Sequence, residues 1–272
     1  MDRRELSTPE GNIVYWVARA GESDRPWLIF LPGLTADHRL FEKQVDHFAN
    51  DANLLVWDAP SHGESRPFAL DWSLDDLARW LREILDFEDV IEPILIGQSL
   101  GGYIAQAYME LFPGAARGFV SIDSAPLQRR YYAAWELGFL RHTKLMYAAF
   151  PWWALVDFGS SGVATSEYGR RVMREMMLDY DKQTYCELTA HGYKALAKSI
   201  EQDRAYEIDC PALIICGTRD AAGFMKRYSR EWERRGGQKV HWIEGAGHNS
   251  NCDAPDEVNA LIDRFVASLA LG

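Results

Sequence analysis

Short, largely apolar segments recur along the chain, and each stops within two residues at a glycine, a proline or an aspartate. They cover residues 27–31, 54–57, 94–96, 119–122, 213–216 and 240–243. Strands that are buried on both faces have this continuous apolar character, whereas half-exposed strands alternate in polarity. The pattern therefore predicts an α/β fold in which helices flank a mostly parallel sheet.

The segments between these strands carry apolar residues at helical spacing. One helix is predicted after Ser73, which would cap it with Asp76 in the first turn, and another over residues 258–269. Residues 12–19 alternate in polarity, which predicts a strand at an exposed edge of the sheet.

Residues 129–205 interrupt the alternation of strands and helices. This stretch contains no strand pattern, is rich in tyrosine, tryptophan and phenylalanine, and regains helical spacing near residues 168–178 and 185–200. We interpret it as a helical cap, or lid, inserted into a core domain that comprises residues 1–128 and 206–272. The alternative is an ordinary run of helices covering the sheet.

Composition narrows the possible partners. The chain has 272 residues with a formal net charge of −11, which disfavours binding to nucleic acid or to an anionic membrane surface. No secretory signal or membrane span is expected, and the four cysteines are scattered without metal-ligand spacing. We expect a cytoplasmic protein that acts on a small molecule; the oligomeric state is not predicted.

The motif with the clearest chemical meaning is Gly97-Gln98-Ser99-Leu100-Gly101, a G-x-S-x-G sequence. It lies between a predicted strand, residues 94–96, and a predicted helix, residues 103–111. A strand-to-helix turn of this kind exposes the serine hydroxyl at the end of a sheet and points free backbone N–H groups toward it. Ser99 is therefore the candidate nucleophile, and the alternative is a tight glycine turn with an inactive serine.

A serine nucleophile needs a base to remove its proton, and His248 is the candidate for that role. It follows the last predicted strand in the small-residue sequence Gly245-Ala246-Gly247-His248. Of the other histidines, His62 is interpreted as a residue that organises a nearby loop, and His241 as part of a strand. The remaining four follow the first core strand or belong to the insertion: His38, His47, His142 and His191.

The histidine in turn needs a carboxylate to hold its tautomer and to stabilise its protonated form. Asp220 is favoured because it lies a short turn beyond a predicted strand, and Asp123 is the alternative because it also follows a strand. Backbone N–H groups should stabilise an oxyanion. The candidates are Leu100, directly after the serine, and Leu34, in the turn after the first core strand.

These motifs, in this order, resemble the landmarks of the α/β-hydrolase superfamily, and in particular its serine hydrolases with a helical cap. The resemblance rests on residues 31–33, 58–65, 97–102, 217–220 and 245–248. Pro32 stands where the family usually has a histidine, and the Gly-Gly-Pro-Gly signature of prolyl aminopeptidases is missing. Ser99 in place of an aspartate disfavours epoxide hydrolases and haloalkane dehalogenases.

The resemblance implies hydrolysis of a carboxylic ester or lactone through an acyl-enzyme, without a metal or an organic cofactor. The aromatic residues of the insertion suggest a small apolar or aromatic substrate. A carbon–carbon bond hydrolase that acts on a diketone-like substrate is the alternative, because it uses the same three side chains. A non-catalytic ligand receptor on the same fold is a third possibility.

Overall fold

The computed structural model describes residues 1–21, 25–205 and 207–270. Within them, eight strands form one sheet in the order β1-β2-β4-β3-β5-β6-β7-β8. The strands are β1 (Asp2–Thr8), β2 (Gly11–Ala18), β3 (Trp27–Leu31), β4 (Asn53–Trp57), β5 (Ile94–Gln98), β6 (Gly118–Ile122), β7 (Ala212–Gly217) and β8 (Val240–Ile243). From β4 through β8 all neighbours are parallel, which confirms the predicted α/β class.

Eleven α-helices are present in the described residues. They are α1 (Glu42–Phe48), α2 (Leu74–Phe87), α3 (Leu100–Leu111), α4 (Ala134–Leu140), α5 (Thr143–Ala149), α6 (Trp152–Val163), α7 (Glu167–Leu178), α8 (Lys182–Glu201), α9 (Met225–Gly236), α10 (Ser250–Asp253) and α11 (Pro255–Leu269). None of the helices in the described ranges combines the length and the apolar character that crossing a membrane requires.

All six core strands predicted from apolar segments are present, within two residues of the predicted bounds. Helix α2 starts as expected, because Ser73 and Asp76 form a reciprocal capping box at its N-terminus. The apolar side chains of α2 are buried, as its spacing requires: Leu74, Leu77, Ala78, Leu81, Ile84 and Leu85.

The prediction of an exposed edge strand at residues 12–19 was wrong in its position within the sheet. Strand β2 pairs on one side with β4 and on the other with β1, so the edge is β1. β1 has the sequence DRRELST and lies mostly exposed, so it lacks the apolar run that reveals the other strands. Its pairing depends on the hairpin that closes at Gly11, where φ is +151°.

The predicted helical insertion corresponds to helices α4–α8, which connect β6 with β7. No strand occurs in residues 129–205, all of which the structure describes. Residue 206, where the predicted core domain resumes, lies outside the described residues. The division into a core and a cap stays a prediction.

The packing of α3 against β3 brings the two elements unusually close. A Cβ atom on Gly101 would lie 1.8 Å from the carbonyl oxygen of Leu31, so only glycine permits this approach. The contact fixes the start of α3 beside the end of β3, where the candidate site residues lie.

We expect Gly101→Ala to lower the free energy of unfolding by about 1–3 kcal/mol, because backbone would have to move to admit the methyl group. Urea denaturation measures this change. Gly138→Ala is the matched control, since Gly138 lies in α4 with no atom within 4 Å of an added Cβ. The control should be neutral or slightly stabilising, and an equal loss in both variants would contradict the packing argument.

Candidate active site

Ser99 occupies the turn between β5 and α3 in a strained conformation. Its φ and ψ angles are 49° and −114°, and a positive φ is rare for a residue with a side chain. The flanking glycines allow the turn, since a Cβ atom on Gly97 would lie 2.3 Å from the carbonyl carbon of Gly101. The side chain is half-buried and lines a cavity rather than open solvent. This geometry is that of a nucleophile elbow.

Three side chains that are distant in the sequence form one hydrogen-bonded chain. The Nε2 atom of His248 lies 2.9 Å from the Oγ of Ser99, and its Nδ1 lies 2.9 Å from the Oδ2 of Asp220. His248 is 7% exposed and Asp220 is 2% exposed. The other oxygen of Asp220 accepts a hydrogen bond from the Ala222 N–H, so the carboxylate is held on both sides.

The electrostatic surroundings raise the pKa of His248. Burial alone lowers that pKa, but the charge of Asp220, its hydrogen bond and the charge of Asp123 together outweigh the burial. The imidazole is thus made more basic than a buried histidine without partners.

Asp123, the alternative acid, has no hydrogen bond to His248. Its Oδ1 accepts from the Gly217 N–H at 2.7 Å, and its Oδ2 accepts from the N–H of Ser250 at 2.9 Å and from the Ser250 hydroxyl. The structure therefore joins Asp220, and not Asp123, to the imidazole.

The two candidate oxyanion donors belong to segments next to Ser99. Leu100 is the first residue of α3, a position whose N–H has no partner within the helix. Leu34 lies in the turn closed by the Ala36 N–H and the Gly33 carbonyl, at 3.2 Å. A Cβ atom on Gly33 would lie 3.1 Å from the Cβ of Ser99, which places this turn against the serine.

The remaining histidines have other surroundings. His62 is fully buried, with its Nδ1 2.9 Å from the Pro60 carbonyl oxygen. Burial lowers its pKa to about 4. Its role as a residue that organises a loop stays a prediction. His38 pairs with Asp58 at 2.9 Å. The other four line neither of the cavities described below: His47, His142, His191 and His241.

A cavity of about 240 Å³, here called the large chamber, opens on one side of Ser99. Helices α4, α5, α8 and α9 supply most of its wall, which is chiefly apolar and aromatic. Among the described residues its one carboxylate is Glu136, which is buried and ion-paired with Arg227 of α9. Three of its lining side chains are also exposed and form an apolar rim: Phe139, Met146 and Phe224.

A second cavity of about 140 Å³, the small chamber, is also lined by Ser99 and His248. Its wall is more polar and includes Thr35, Gln98, Thr189 and Asn249. Both chambers are lined by the same central residues: Leu34, Ser99, Tyr147, Tyr193, Ala222 and His248. In the part of the chain that the structure describes, neither chamber is lined by lysine or arginine. Of these central residues, sequence reasoning proposed Leu34, Ser99 and His248 for the site, but it did not predict the chambers, whose walls come from seven helices, α3–α9.

Two groups of side chains are close enough to hold a metal ion, among the described residues. Asp37, His38 and Asp58 form one group, and Asp123, Cys216 and Asp220 form the other. In both groups the carboxylates already form hydrogen bonds with backbone N–H groups, with Arg39 or with His248. The sequence did not indicate either group, because each is assembled from separate strand ends.

Comparisons with known proteins identify the family and the fold. A family model described as "Alpha/beta hydrolase family" matches residues 28–261. A 2-succinyl-6-hydroxy-2,4-cyclohexadiene-1-carboxylate synthase from Citrobacter koseri is 25% identical over 250 residues, which cover 88% of this chain and 92% of that protein.

Two solved structures share the fold. A thermophilic esterase from Thermogutta terrifontis superposes with a TM-score of 0.77 at 16% identity, over 99% of both chains. A mutant of the N-acyl homoserine lactonase AidH, in complex with N-hexanoyl homoserine lactone, also gives a TM-score of 0.77, at 17% identity, over 99% of this chain and 98% of that one. At these identities the likeness shows the fold.

We expect Asp220→Asn to lower the pKa of His248, because the substitution removes a charge that stabilises the protonated ring. Titration of the imidazole signals by NMR measures this change without any assay of activity. Asp263→Asn is the control, since Asp263 pairs with the exposed His47. An unchanged His248 titration in Asp220→Asn would show that the pair does not form in solution.

Proposed function

Because the chain belongs to the alpha/beta hydrolase family, we propose that it is a serine hydrolase that cleaves a carboxylic ester or lactone. The observation that carries this proposal is the continuous hydrogen-bonded chain from Ser99 through His248 to Asp220. A ligand receptor on the same fold would not require these three groups in this arrangement.

In the proposed mechanism, the Ser99 oxygen attacks the substrate carbonyl while Nε2 of His248 takes the hydroxyl proton. Asp220 stabilises the resulting imidazolium through Nδ1. The N–H groups of Leu34 and Leu100 stabilise the oxyanion. His248 then gives its proton to the leaving oxygen as the carbon–oxygen bond breaks, which yields the acyl-enzyme. Water, deprotonated by His248, attacks the acyl carbon, and the proton returns to Ser99 as the acid is released.

The chambers suggest a substrate without net charge. The large chamber is apolar and has an apolar rim, which favours an aliphatic or aromatic arm. The small chamber has hydroxyl and amide groups beside apolar side chains in its wall, and it suits a short arm that carries a polar group. Helices α4–α8 supply much of both walls, so we propose that they act as the cap that encloses the substrate.

The curated relatives raise the alternative of carbon–carbon bond chemistry, since the synthases that match this chain are named for a product with a succinyl group and a ring carboxylate. A carboxylate in either chamber would need a cationic partner to offset its desolvation. The described chamber walls carry no lysine or arginine, and Glu136 lines the larger one. The site therefore fits neutral esters or lactones better than an anionic substrate of this kind.

Ser99→Ala should lower the turnover of p-nitrophenyl hexanoate by at least about 10⁴-fold, because no other group replaces the attacking oxygen. The wild type should also form a covalent adduct with a fluorophosphonate probe, detected as a mass increase that the variant lacks. Ser161→Ala, at an exposed position of α6, is the control. Activity near that of the wild type in folded Ser99→Ala would remove Ser99 from the mechanism.

Discrimination against charge is tested with two six-carbon acyl groups. We expect kcat/KM for p-nitrophenyl hexanoate to exceed that for mono-p-nitrophenyl adipate by about 10²-fold or more, because the terminal carboxylate would be buried without a partner. The methyl ester of the adipate derivative controls for bulk and should regain most of the rate. Equal rates for the hexanoate and the charged adipate would contradict the proposed substrate class, and so would preferential cleavage of a diketone in a parallel assay.

A further inference from the structure

Asp123 is a buried carboxylate for which the proposed mechanism has no role. It follows the last residue of β6 and is 0% exposed. Its φ angle is +46°, which is uncommon for a residue with a side chain. A buried, ionisable residue in a strained conformation needs a compensating set of contacts.

The contacts of Asp123 join two separate loops. One carboxylate oxygen accepts from the N–H of Gly217, the last residue of β7, three positions before Asp220. The other accepts from the N–H and the hydroxyl of Ser250, two positions after His248. A single side chain thus holds the segment that carries the acid and the segment that carries the base.

Asp123 also interacts electrostatically with Asp220 and His248. The titratable groups around it are the buried side chains of Asp220, His248, Cys216 and Cys252. The charges of Asp123 and Asp220 both favour the protonated form of His248. Burial and the neighbouring charge of Asp220 raise the pKa of Asp123, while the Ser250 and Gly217 hydrogen bonds and His248 oppose this rise.

We propose that Asp123 is a positioning residue that sets the distance between His248 and Asp220 and adds negative charge behind the imidazole. It acts through the two loops and through the electric field at the ring, and it does not touch the substrate. This inference rests on the proposed function for its kinetic consequences, but its effect on His248 is measurable in the absence of any reaction.

The test is Asp123→Asn. The variant keeps one side-chain oxygen, which can still accept hydrogen bonds from one loop. Its NH₂ group cannot accept those from the other loop. We expect kcat for p-nitrophenyl hexanoate to fall by about 10²-fold with KM little changed. The reason is that the side chain at position 123 no longer fixes the positions of His248 and Asp220 relative to each other. NMR titration should show a lower pKa for His248. Since His248 must be neutral to accept a proton, the acid limb of the kcat/KM profile should move to lower pH.

Asp58→Asn is the matched control. Asp58 is equally buried, follows β4, and accepts backbone hydrogen bonds from His38 and Glu64, but it belongs to a different cluster. We expect Asp58→Asn to lower the free energy of unfolding without changing the pKa of His248. A loss of activity in Asp123→Asn with the His248 titration and the acid limb unchanged would overturn the proposal, because it would show a structural role alone.

Two further outcomes are informative. If Asp123→Asn does not fold, Ser250→Ala replaces it, since this variant keeps the carboxylate and loses one of its three donors. A reduced kcat at constant KM in that variant supports the proposal, and an unchanged kcat overturns it. If the wild type hydrolyses no ester, the proposed function fails, yet the NMR result still decides whether Asp123 acts on His248.

Discussion

The site depends on how closely the backbone of α3 approaches β3 and the end of β5. Because Gly97 and Gly101 have no side chains at this contact, the chain can turn sharply between β5 and α3. Ser99, in this turn, has a strained backbone conformation with a positive φ angle. The strain is sustained because buried parallel strands on both sides fix the ends of the turn. Without this contact the serine would have a relaxed backbone, and its hydroxyl would not meet an imidazole carried 149 residues later in the chain.

The same architecture explains which features could be predicted from the sequence. Parallel strands with two covered faces must be apolar throughout, so β3 to β8 were evident, and the carboxyl ends of such strands meet at one edge. That rule led to Ser99, Asp220 and His248 together. β1 escaped detection because an edge strand paired on one side can be charged and exposed. The chambers were not predicted because no local sequence pattern specifies how the seven helices α3–α9 pack around them.

Sequence reasoning favoured Asp220 over Asp123 as the acid, but it could not show how the roles of the two carboxylates differ. Both follow a strand at the same edge, and both are buried. Their hydrogen-bond partners differ. Asp220 is hydrogen-bonded to the ring of His248. Asp123 accepts from the N–H groups of Gly217 and Ser250, in the two segments that carry the acid and the base. Which of two equivalent carboxylates meets the imidazole depends on loop conformations of a few residues, and the sequence does not encode these in any periodic signal.

The distribution of charge completes the argument. A chain with a net charge of −11 has an acidic exterior, yet the walls of both chambers are almost uncharged. The carboxyl groups of Asp220 and Asp123 lie near His248 instead, and in the proposed mechanism they stabilise the protonated ring that forms when Ser99 attacks. An anionic substrate would be repelled by these carboxylates and would find no cation in the described walls to offset the repulsion. The electrostatic arrangement that raises the pKa of His248 is thus also consistent with the proposed neutral substrate.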